Sequence, residues 1–290
     1  ATRGQIVDHD GNPIVENKVG FNVIIDDSFF PDDNKESNSI LLQTVKLLKE
    51  RGHEVINIDM KGGDIEVDLS TLEGRKKTID ELHRMCPDGL DGMILNAGVS
   101  GACGKPELII SLNFFSTIEV AKGVYDLVQK RHGAMVVTSS NTISQGRIRM
   151  DIADLLNNAN DDEQRILNIV GQMDRTDLSV GNTLYVATKY ALARWVRRHS
   201  ASFAANGVRI NAVAPGNVNT AMTAILTPTT KMAINALPIP TRYGQDALMD
   251  PEEVASVIVF LVSDEARGVC GNIMFVDGGT DALLNTEKVY

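Results

Sequence analysis

The chain has 290 residues, 43% of them hydrophobic and 23% charged, the proportions of a globular protein and not of a disordered or collagen-like one. Its 38 acidic against 28 basic residues give a formal charge of -10 with no Lys/Arg-rich run, so a nucleic-acid backbone would be repelled. Apolar stretches such as Val254 to Val262 fall far short of the ~20 residues a membrane-spanning helix needs, so neither nucleic acid nor membrane is an expected partner.

Residues 1–19, with Asp10-Gly11-Asn12-Pro13, read as a surface extension, and no apolar segment among them marks a secretory signal. From residue 20 onward, short β-branched runs alternate with longer amphipathic ones, the pattern of a parallel sheet wrapped in helices. Phe21 to Ile25 predicts a strand, Ile40 to Arg51 a helix, Glu54 to Ile58 a strand, and Leu72 to Met85 a helix with Lys, Arg and Glu on its outer face. Gly92 to Leu95 follows as a strand, Ile109 to Arg131 as one helix and Ala134 to Thr138 as a strand. Residues 144–180, with seven acidic and four basic side chains around a helical run at Asp162 to Met173, interrupt a short strand-to-helix connection and read as a functional or interface insertion. A helix over Leu184 to Asn206, a strand at Arg209 to Val213, a helix over Pro251 to Val262 and a strand at Ile273 to Val276 complete the pattern. The fold class is thus α/β: one doubly wound parallel sheet of about seven strands over residues 20–290, with helices on both faces. Cys86, Cys103 and Cys270, odd in number and without Cys-x-x-Cys spacing, read as reduced packing residues of a cytoplasmic protein.

Tyr185-Val-Ala-Thr-Lys189 puts a phenol and an ammonium on one face of a helix. A cation beside the phenol stabilises the phenolate and moves its pKa from ~10 toward the working pH, which makes a general acid/base. The same spacing also serves an ordinary surface contact. Ser139 and Ser140, after Val136-Val137-Thr138, stand where a hydroxyl overhangs the carboxyl edge of the sheet, either to hold a substrate carbonyl or to close a turn. Asn113 sits in the apolar run Ser111-Leu112-Asn113-Phe114-Phe115, where a buried amide needs hydrogen-bond partners. It is either a kink that binds water or a core asparagine. The small residues of Asn96-Ala97-Gly98, directly after a strand, let a flat ligand approach the sheet edge. Asp59 ends the second strand. In a dinucleotide-binding unit a carboxylate there takes the adenosine ribose hydroxyls and repels a 2′-phosphate; otherwise it is a loop aspartate.

Taken together, Asn96-Ala97-Gly98, Asn113, Ser140, Tyr185-x-x-x-Lys189, Pro215-Gly216-Asn217-Val218-Asn219-Thr220 and Val276-Asp277-Gly278-Gly279 resemble, in order and spacing over residues 20–280, the short-chain dehydrogenase/reductase family. Gly52-His53-Glu54-Val55, Asp68-Leu69-Ser70-Thr71, Glu73-Gly74-Arg75-Lys76 and Glu253-Val254-Ala255-Ser256-Val257-Ile258 are similar to bacterial 3α-hydroxysteroid dehydrogenase/carbonyl reductases within it. The resemblance implies a Rossmann-like fold with Tyr185 exchanging a proton with the substrate oxygen, Lys189 lowering its pKa and holding the nicotinamide ribose, and Ser140, or less favourably Ser139, hydrogen-bonding the carbonyl or alcohol. Asn113 would anchor a water that relays protons from Lys189. Asp59 would take the adenosine ribose, Asp68 and Leu69 the adenine, Asn96, Ala97 and Gly98 the cofactor's middle, and Val218 and Thr220 the carboxamide, with Pro215 in the same cofactor-binding set. No metal is implied.

One segment departs from the family pattern, whose first strand runs into a Gly-x-x-x-Gly-x-Gly turn that brings backbone N–H groups to a pyrophosphate. Here Asp26 to Ser39 contains no glycine and carries five carboxylates, with Lys35 its only cation. Ser37 to Ser39 can cap the following helix and offer hydroxyls and N–H groups to phosphate. Three readings follow: an NAD-dependent enzyme interconverting a hydrophobic secondary alcohol and its ketone, a cofactor-independent lyase or isomerase on the same fold, and a non-catalytic subunit of a heteromeric dehydrogenase. Asp59 has no neighbouring Arg, which favours NAD over NADP. Residues 217–245, with Met222, Ile225, Leu226, Met232, Ile234 and Leu237, are expected to close over an aromatic or steroid-sized substrate. The family resemblance and the 144–180 insertion lead us to expect a homodimer rather than a tetramer.

Overall fold

Seven parallel strands form one sheet in the computed structural model, which describes residues 6–7, 13–15, 21–25, 39–146, 148–158, 162–174, 177–220, 237–245 and 248–288. In chain order the strands are β1 (Ile6–Val7), β2 (Pro13–Val15), β3 (Phe21–Ile25), β4 (Glu54–Asp59), β5 (Ile65–Glu66), β6 (Gly92–Leu95), β7 (Ala134–Thr138), β8 (Arg209–Pro215) and β9 (Ile273–Val276). The helices are α1 (Ser39–Glu50), α2 (Leu72–Met85), α3 (Pro106–Ile110), α4 (Thr117–Gly123), α5 (Tyr125–Lys130), α6 (Met150–Asn157), α7 (Glu163–Val170), α8 (Leu178–Ala204), α9 (Pro251–Val262) and α10 (Thr280–Leu284). β1 and β2 pair antiparallel with each other, and the large sheet runs β5-β4-β3-β6-β7-β8-β9. Ile25 lies opposite Ile58 on one side and Leu95 on the other, and Leu95 lies opposite Val137. Strand order reverses between β3 and β6, and at such a switch point open α/β sheets take ligands beyond the carboxyl ends of their strands.

β6 and β7 read as continuous apolar runs because both of their faces are covered. Met93, Ile94, Leu95 and Val136 are all buried. Ile94 and Val136 face a core shared with Leu41 and Leu48 of α1 and Ile258 of α9. Met93, Leu95 and Val137 face the other core, with Phe114, Phe115, Leu192 and Trp195. Each such large side chain stabilises the fold by about 1.5–3 kcal/mol through burial. Among the described residues no helix is long and apolar enough to cross a membrane.

α2 has the ends its periodicity predicts, with Thr71 as N-cap accepting from the Gly74 N–H at 3.0 Å. One of its faces was misassigned: Arg75 does not point outward with the other charges but is 1% exposed, on the inward stripe with Thr78 and Leu82. The run expected as one helix over 109–131 is α3, a π-turn at Ser111–Ser116, α4 and α5. α4 gives way to α5 at Val124, beside Gly123, where a Cβ would strike the Ile79 side chain. α8 begins at Leu178, earlier than the expected Leu184, with Asp177 capping Ser179 N at 2.8 Å. Gly181 is inside the helix, with the backbone of Gly101 lying against it.

Within residues 144–180, the helical run is shorter than expected, Glu163–Val170, with Asp162 as its cap, and α6 precedes it unannounced. α6 packs on α8: Ile152, Ala153 and Leu156 are buried, Asn157 Nδ2 donates to Ala191 O at 3.0 Å, and Arg194 pairs with Asp154. The packing role expected of the cysteines holds for Cys86, which is buried, but Cys103 is half-buried and Cys270 exposed. Cys270 sits beside the Gly271 turn rather than in a core, with its Sγ 3.6 Å from Ser200 O.

A Cβ added to Gly181 would collide with the carbonyl oxygen of Gly101, and backbone cannot swing aside as a side chain can. Gly181→Ala should therefore destabilise the protein by about 1–3 kcal/mol despite the better helix propensity of alanine. Thermal unfolding of the variant beside wild type checks the sign.

Candidate active site

Parallel strands bring their carboxyl ends to one edge, and α8 crosses that edge with Tyr185 and Lys189 on neighbouring turns. Lys189 is 4% exposed, and its Nζ donates to Thr138 O, at the end of β7, at 2.8 Å. The same Nζ lies 5.9 Å from the centre of the Tyr185 ring. An ammonium has three N–H donors; two of them have no acceptor among the described residues. Burial lowers the Lys189 pKa to about 8. The lowering of the Tyr185 pKa expected from the sequence is corrected by the structure: burial raises it, and the hydrogen bond with Ser140 is the opposing, smaller influence. Tyr185 is therefore a protonated phenol at neutral pH.

The two serines separate clearly. Ser139 is buried with its Oγ donating to Lys189 O at 2.9 Å, so its hydroxyl is spent on fixing α8 against β7. Ser140, the next residue, turns its hydroxyl toward Tyr185 and also accepts from Thr142 Oγ1 at 3.1 Å. Asn113 lies in the π-turn, fully buried, with Oδ1 accepting from Val99 N at 2.7 Å and Nδ2 donating to Val99 O at 2.9 Å. The helix thus widens at Asn113, whose amide is at the same time satisfied within the core by Val99. Gly98 stands where Asn113 and Lys189 converge, since a Cβ there would lie 3.1 Å from Asn113 Oδ1 and 3.2 Å from Lys189 Nζ.

Of the remaining expected positions, Asn96 accepts from Thr138 Oγ1 at 2.8 Å, and Ala97 is buried behind it. Asp59 ends β4 half-buried; burial raises its pKa against the pull of the Lys61 and Met60 backbone N–H groups. Asp68 Oδ1 accepts from Ser70 N at 2.9 Å and Ser70 Oγ at 2.6 Å, closing a turn, while Leu69 beside it is fully buried. Pro215 ends β8 opposite Val276, and Val218 bridges to Met249 beyond it. Thr220 closes the described part of that connection. The structure thus gathers Asn96, Gly98, Asn113, Ser140, Tyr185 and Lys189 into one contact set; Asp59, Asp68 and Leu69 lie along the β4–β5 side of the same edge. The glycine-free segment at 26–38 and residues 221–236 of the expected lid lie outside the described residues.

Two contributors escaped the sequence reading. Thr138 serves twice, its carbonyl for Lys189 and its hydroxyl for Asn96. Val99 gives both backbone groups to Asn113. Their nearness to Ser139 and Gly98 in the chain was the only signal, because backbone groups leave no residue-type signature.

Residues 149–281, which include Tyr185, Lys189 and Pro215, match the family model described as enoyl-(acyl carrier protein) reductase. Over 247 residues the chain is 29% identical to the 3-alpha-hydroxysteroid dehydrogenase/carbonyl reductase of Comamonas testosteroni, covering 84% of this chain and 93% of that one. A 3-oxoacyl-(acyl-carrier-protein) reductase FabG of Aquifex aeolicus is 28% identical over 220 residues, 76% of this chain and 77% of the other. The crystal structure of the 3-alpha-hydroxysteroid dehydrogenase from Pseudomonas sp. B-0831 complexed with NADH matches at a TM-score of 0.80 and 28% identity, over 92% of this chain and 100% of that chain. The chain belongs to the short-chain dehydrogenase/reductase family. A model described as a penicillin-binding protein dimerisation domain also matches residues 1–91. Within that stretch, β3, β4 and β5 belong to the same parallel sheet as β6 to β9, so this part of the dehydrogenase/reductase chain has the family's architecture.

Lys189 yields a stability test with a definite sign. Its folded pKa, about 8, lies below the ordinary 10.5, so the unfolded chain binds more protons between those values and unfolding free energy rises with pH there. Relative to Lys189→Met, wild type should gain up to ~1.4 kcal/mol per pH unit from about pH 8 to 10.5 and nothing below about pH 8. Denaturant unfolding of both proteins across that range checks it.

Proposed function

We propose that this protein is an NAD-dependent oxidoreductase that interconverts a hydrophobic secondary alcohol and its ketone. As a family member it is an oxidoreductase of the nicotinamide-dependent kind. The observation that carries the reading is the buried Lys189 ammonium, two of whose N–H groups have no acceptor among the described residues, beside the Tyr185–Ser140 pair at the carboxyl edge. Two convergent donors suit the hydroxyls of a ribose, and the space over Gly98, which any Cβ would fill, suits a flat ligand passing between the strand ends.

In the reducing direction Ser140 Oγ donates a hydrogen bond to the substrate carbonyl and holds it against Tyr185. Tyr185, protonated at neutral pH, gives its proton to that oxygen as the carbon becomes a carbinol. A nicotinamide cofactor, when held there by Lys189 and Asp59, would supply hydride chemistry at that carbon, giving a hydride in this direction and taking one in reverse. Lys189 holds the ribose and stabilises the phenolate left behind. The second lone pair of Asn113 Oδ1 is open to a water that returns a proton through Lys189. Asp59 takes the adenosine ribose and disfavours a 2′-phosphate, so NAD is preferred over NADP. Asp68, whose Oδ1 closes its own turn, offers Oδ2 to the adenine amino group over Leu69. Asn96 and Ala97 line the cofactor's middle, and Pro215, Val218 and Thr220 its carboxamide end. We assign residues 1–19 as an extension, 20–290 as one domain, and about 217–245 as a lid over an aromatic or steroid-sized substrate. The glycine-free, acidic sequence at 26–39 favours one rival, a hydride-free acid/base enzyme using the same phenol and ammonium.

Titration with NADH, NAD, NADPH and NADP by fluorescence or heat separates the two. Saturable NADH binding that weakens on Asp59→Ala is expected; no binding at millimolar concentrations would leave the hydride-free enzyme and the non-catalytic subunit. With cofactor bound, Tyr185→Phe and Ser140→Ala should each lower kcat by about 10²–10⁴, while Ser139→Ala, whose hydroxyl holds backbone, should lower it far less.

A homodimer is the assembly we propose. α6 covers part of α8, whereas β9 is the sheet's last strand and keeps Ile273, Met274 and Phe275 half-buried, Met274 on the face that also holds Val257 and Phe260 of α9. Free thiols throughout fit the cytoplasm. Light scattering should give twice the chain mass, and Phe260→Glu should give the monomer; an unchanged mass for the variant would move the interface elsewhere.

A further inference from the structure

Among the described residues Arg75 is the largest fully buried side chain, and nothing in the proposed chemistry uses it. Its five N–H donors reach six acceptors in four separate segments. Nε donates to Leu69 O at 2.8 Å and Nη2 to Ser70 O at 3.0 Å, which fixes the turn whose carboxylate is Asp68. Nη2 also donates to Ser111 O at 3.2 Å, the first carbonyl of the π-turn. Nη1 meets Glu119 of α4 at 3.0 Å, and both Nη atoms meet Glu163 of α7, at 2.6 and 2.9 Å. Glu163 is itself nearly buried and belongs to the inserted stretch.

A π-turn has wider hydrogen-bond spacing than the helix around it and leaves carbonyls short of helical donors. Here side chains supply them: Ser116 Oγ donates to Leu112 O at 2.6 Å, and Arg75 donates to Ser111 O. Asn113 is two residues beyond Ser111, and its direction is set by this turn. We propose that Arg75, locked by the fork of Glu163, is a positioning residue that holds the 68–70 turn and the π-turn carrying Asn113 as one unit, so that the inserted helix controls both ends of the cofactor site. The adenosine half of this rests on the cofactor reading above; the Asn113 half does not.

The test uses Glu163→Gln, which keeps the shape but removes the charge, and Arg75→Lys, which keeps the charge but lacks the planar fork. Arg149→Ala, which breaks the exposed Arg149–Asp151 pair in the same inserted stretch, is the control. The Val99 amide is held by Asn113 Oδ1, so its hydrogen exchange, followed by NMR or in peptides spanning 96–100, reports Asn113 without any ligand or turnover. Affinity for adenosine monophosphate reports the 68–70 turn. Both Arg75 and Glu163 variants should speed Val99 exchange and weaken adenosine monophosphate binding by about tenfold, the scale of one charge-assisted hydrogen bond lost, while Arg149→Ala changes neither. A lower Tm with Val99 exchange and nucleotide affinity unchanged would reduce the network to a structural brace and overturn the proposal. If wild type fails to bind adenosine monophosphate, the cofactor reading and the adenosine half fall together; Val99 exchange then upholds the Asn113 half if it speeds up and overturns it if it does not.

Discussion

Keeping the Lys189 ammonium out of water is the constraint around which the site is built. The shift of its pKa from 10.5 to about 8 corresponds to about 3 kcal/mol set against the charged form. Little on the protein side offsets this: one backbone carbonyl and the face of one aromatic ring. Such a group persists because the surrounding fold over-determines its position. Ser139 ties the Lys189 carbonyl to the end of β7, Gly98 leaves room for Nζ, and Asn113 closes the space from the other side. A hydroxyl-bearing ligand that completed the ammonium's hydrogen bonds would recover part of that free energy on binding, so the strain in the protein alone becomes affinity in the complex.

Two backbone devices place the helices that meet at Lys189. The contact between Gly101 and Gly181 lets the loop after β6 touch α8 directly, so the segment carrying Ala97 and Gly98 and the helix carrying Tyr185 keep a fixed separation. The π-turn at Ser111–Ser116 does the second job. All six of its residues are buried, with Phe114 and Phe115 in edge-to-face contact at 5.4 Å while Asn113 points to Val99. A regular helix repeats every 3.6 residues, and the extra residue of the wider turn shifts the facing of everything after it by roughly 100°. That shift lets one short segment serve the apolar core and the polar site together.

Much of this was legible from the chain because local punctuation and tertiary need coincide. Gly92–Leu95, Ala134–Thr138 and Ile273–Val276 are apolar runs between turn residues, and they are strands with those bounds. α9 spans Pro251–Val262 as expected, closed at its start by Asp250 and Glu253, with Glu253 accepting from Asp250 N at 2.8 Å. Where the two conflict, sequence reading fails in a consistent direction. The helix expected from Leu184 starts at Leu178 and includes Gly181, a residue costly in a helix but required here by a neighbouring backbone. Arg75 reads as solvated because arginine usually is, yet it occupies an inward position with Thr78 and Leu82 and finds its partners in the preceding turn, the π-turn, α4 and α7. Tyr185 was located by its spacing to Lys189, but the direction of its pKa shift depends on burial, which spacing does not encode.

The Arg75 network and the glycine-free segment bear on each other. In family members with the glycine turn, backbone N–H groups close to the pyrophosphate carry a share of the binding. The sequence of residues 26–39 has a side chain at every position and five carboxylates, a composition without the glycines of that turn and one that disfavours a diphosphate. On the proposed cofactor reading, a larger share of the binding free energy would rest on the ribose and adenine ends: on Lys189 at one and on Asp59 and the 68–70 turn at the other. Residues that only tune affinity where a phosphate turn dominates become decisive where it is missing. A guanidinium that pins the adenine-side turn and the Asn113 turn through the same buried fork is suited to that circumstance, because rigidity in the unbound protein lowers the ordering cost of binding. On that reading the insertion and the altered first loop belong together: the inserted helix stiffens the flanking contacts where the loop sequence lacks the glycines of the family's phosphate turn.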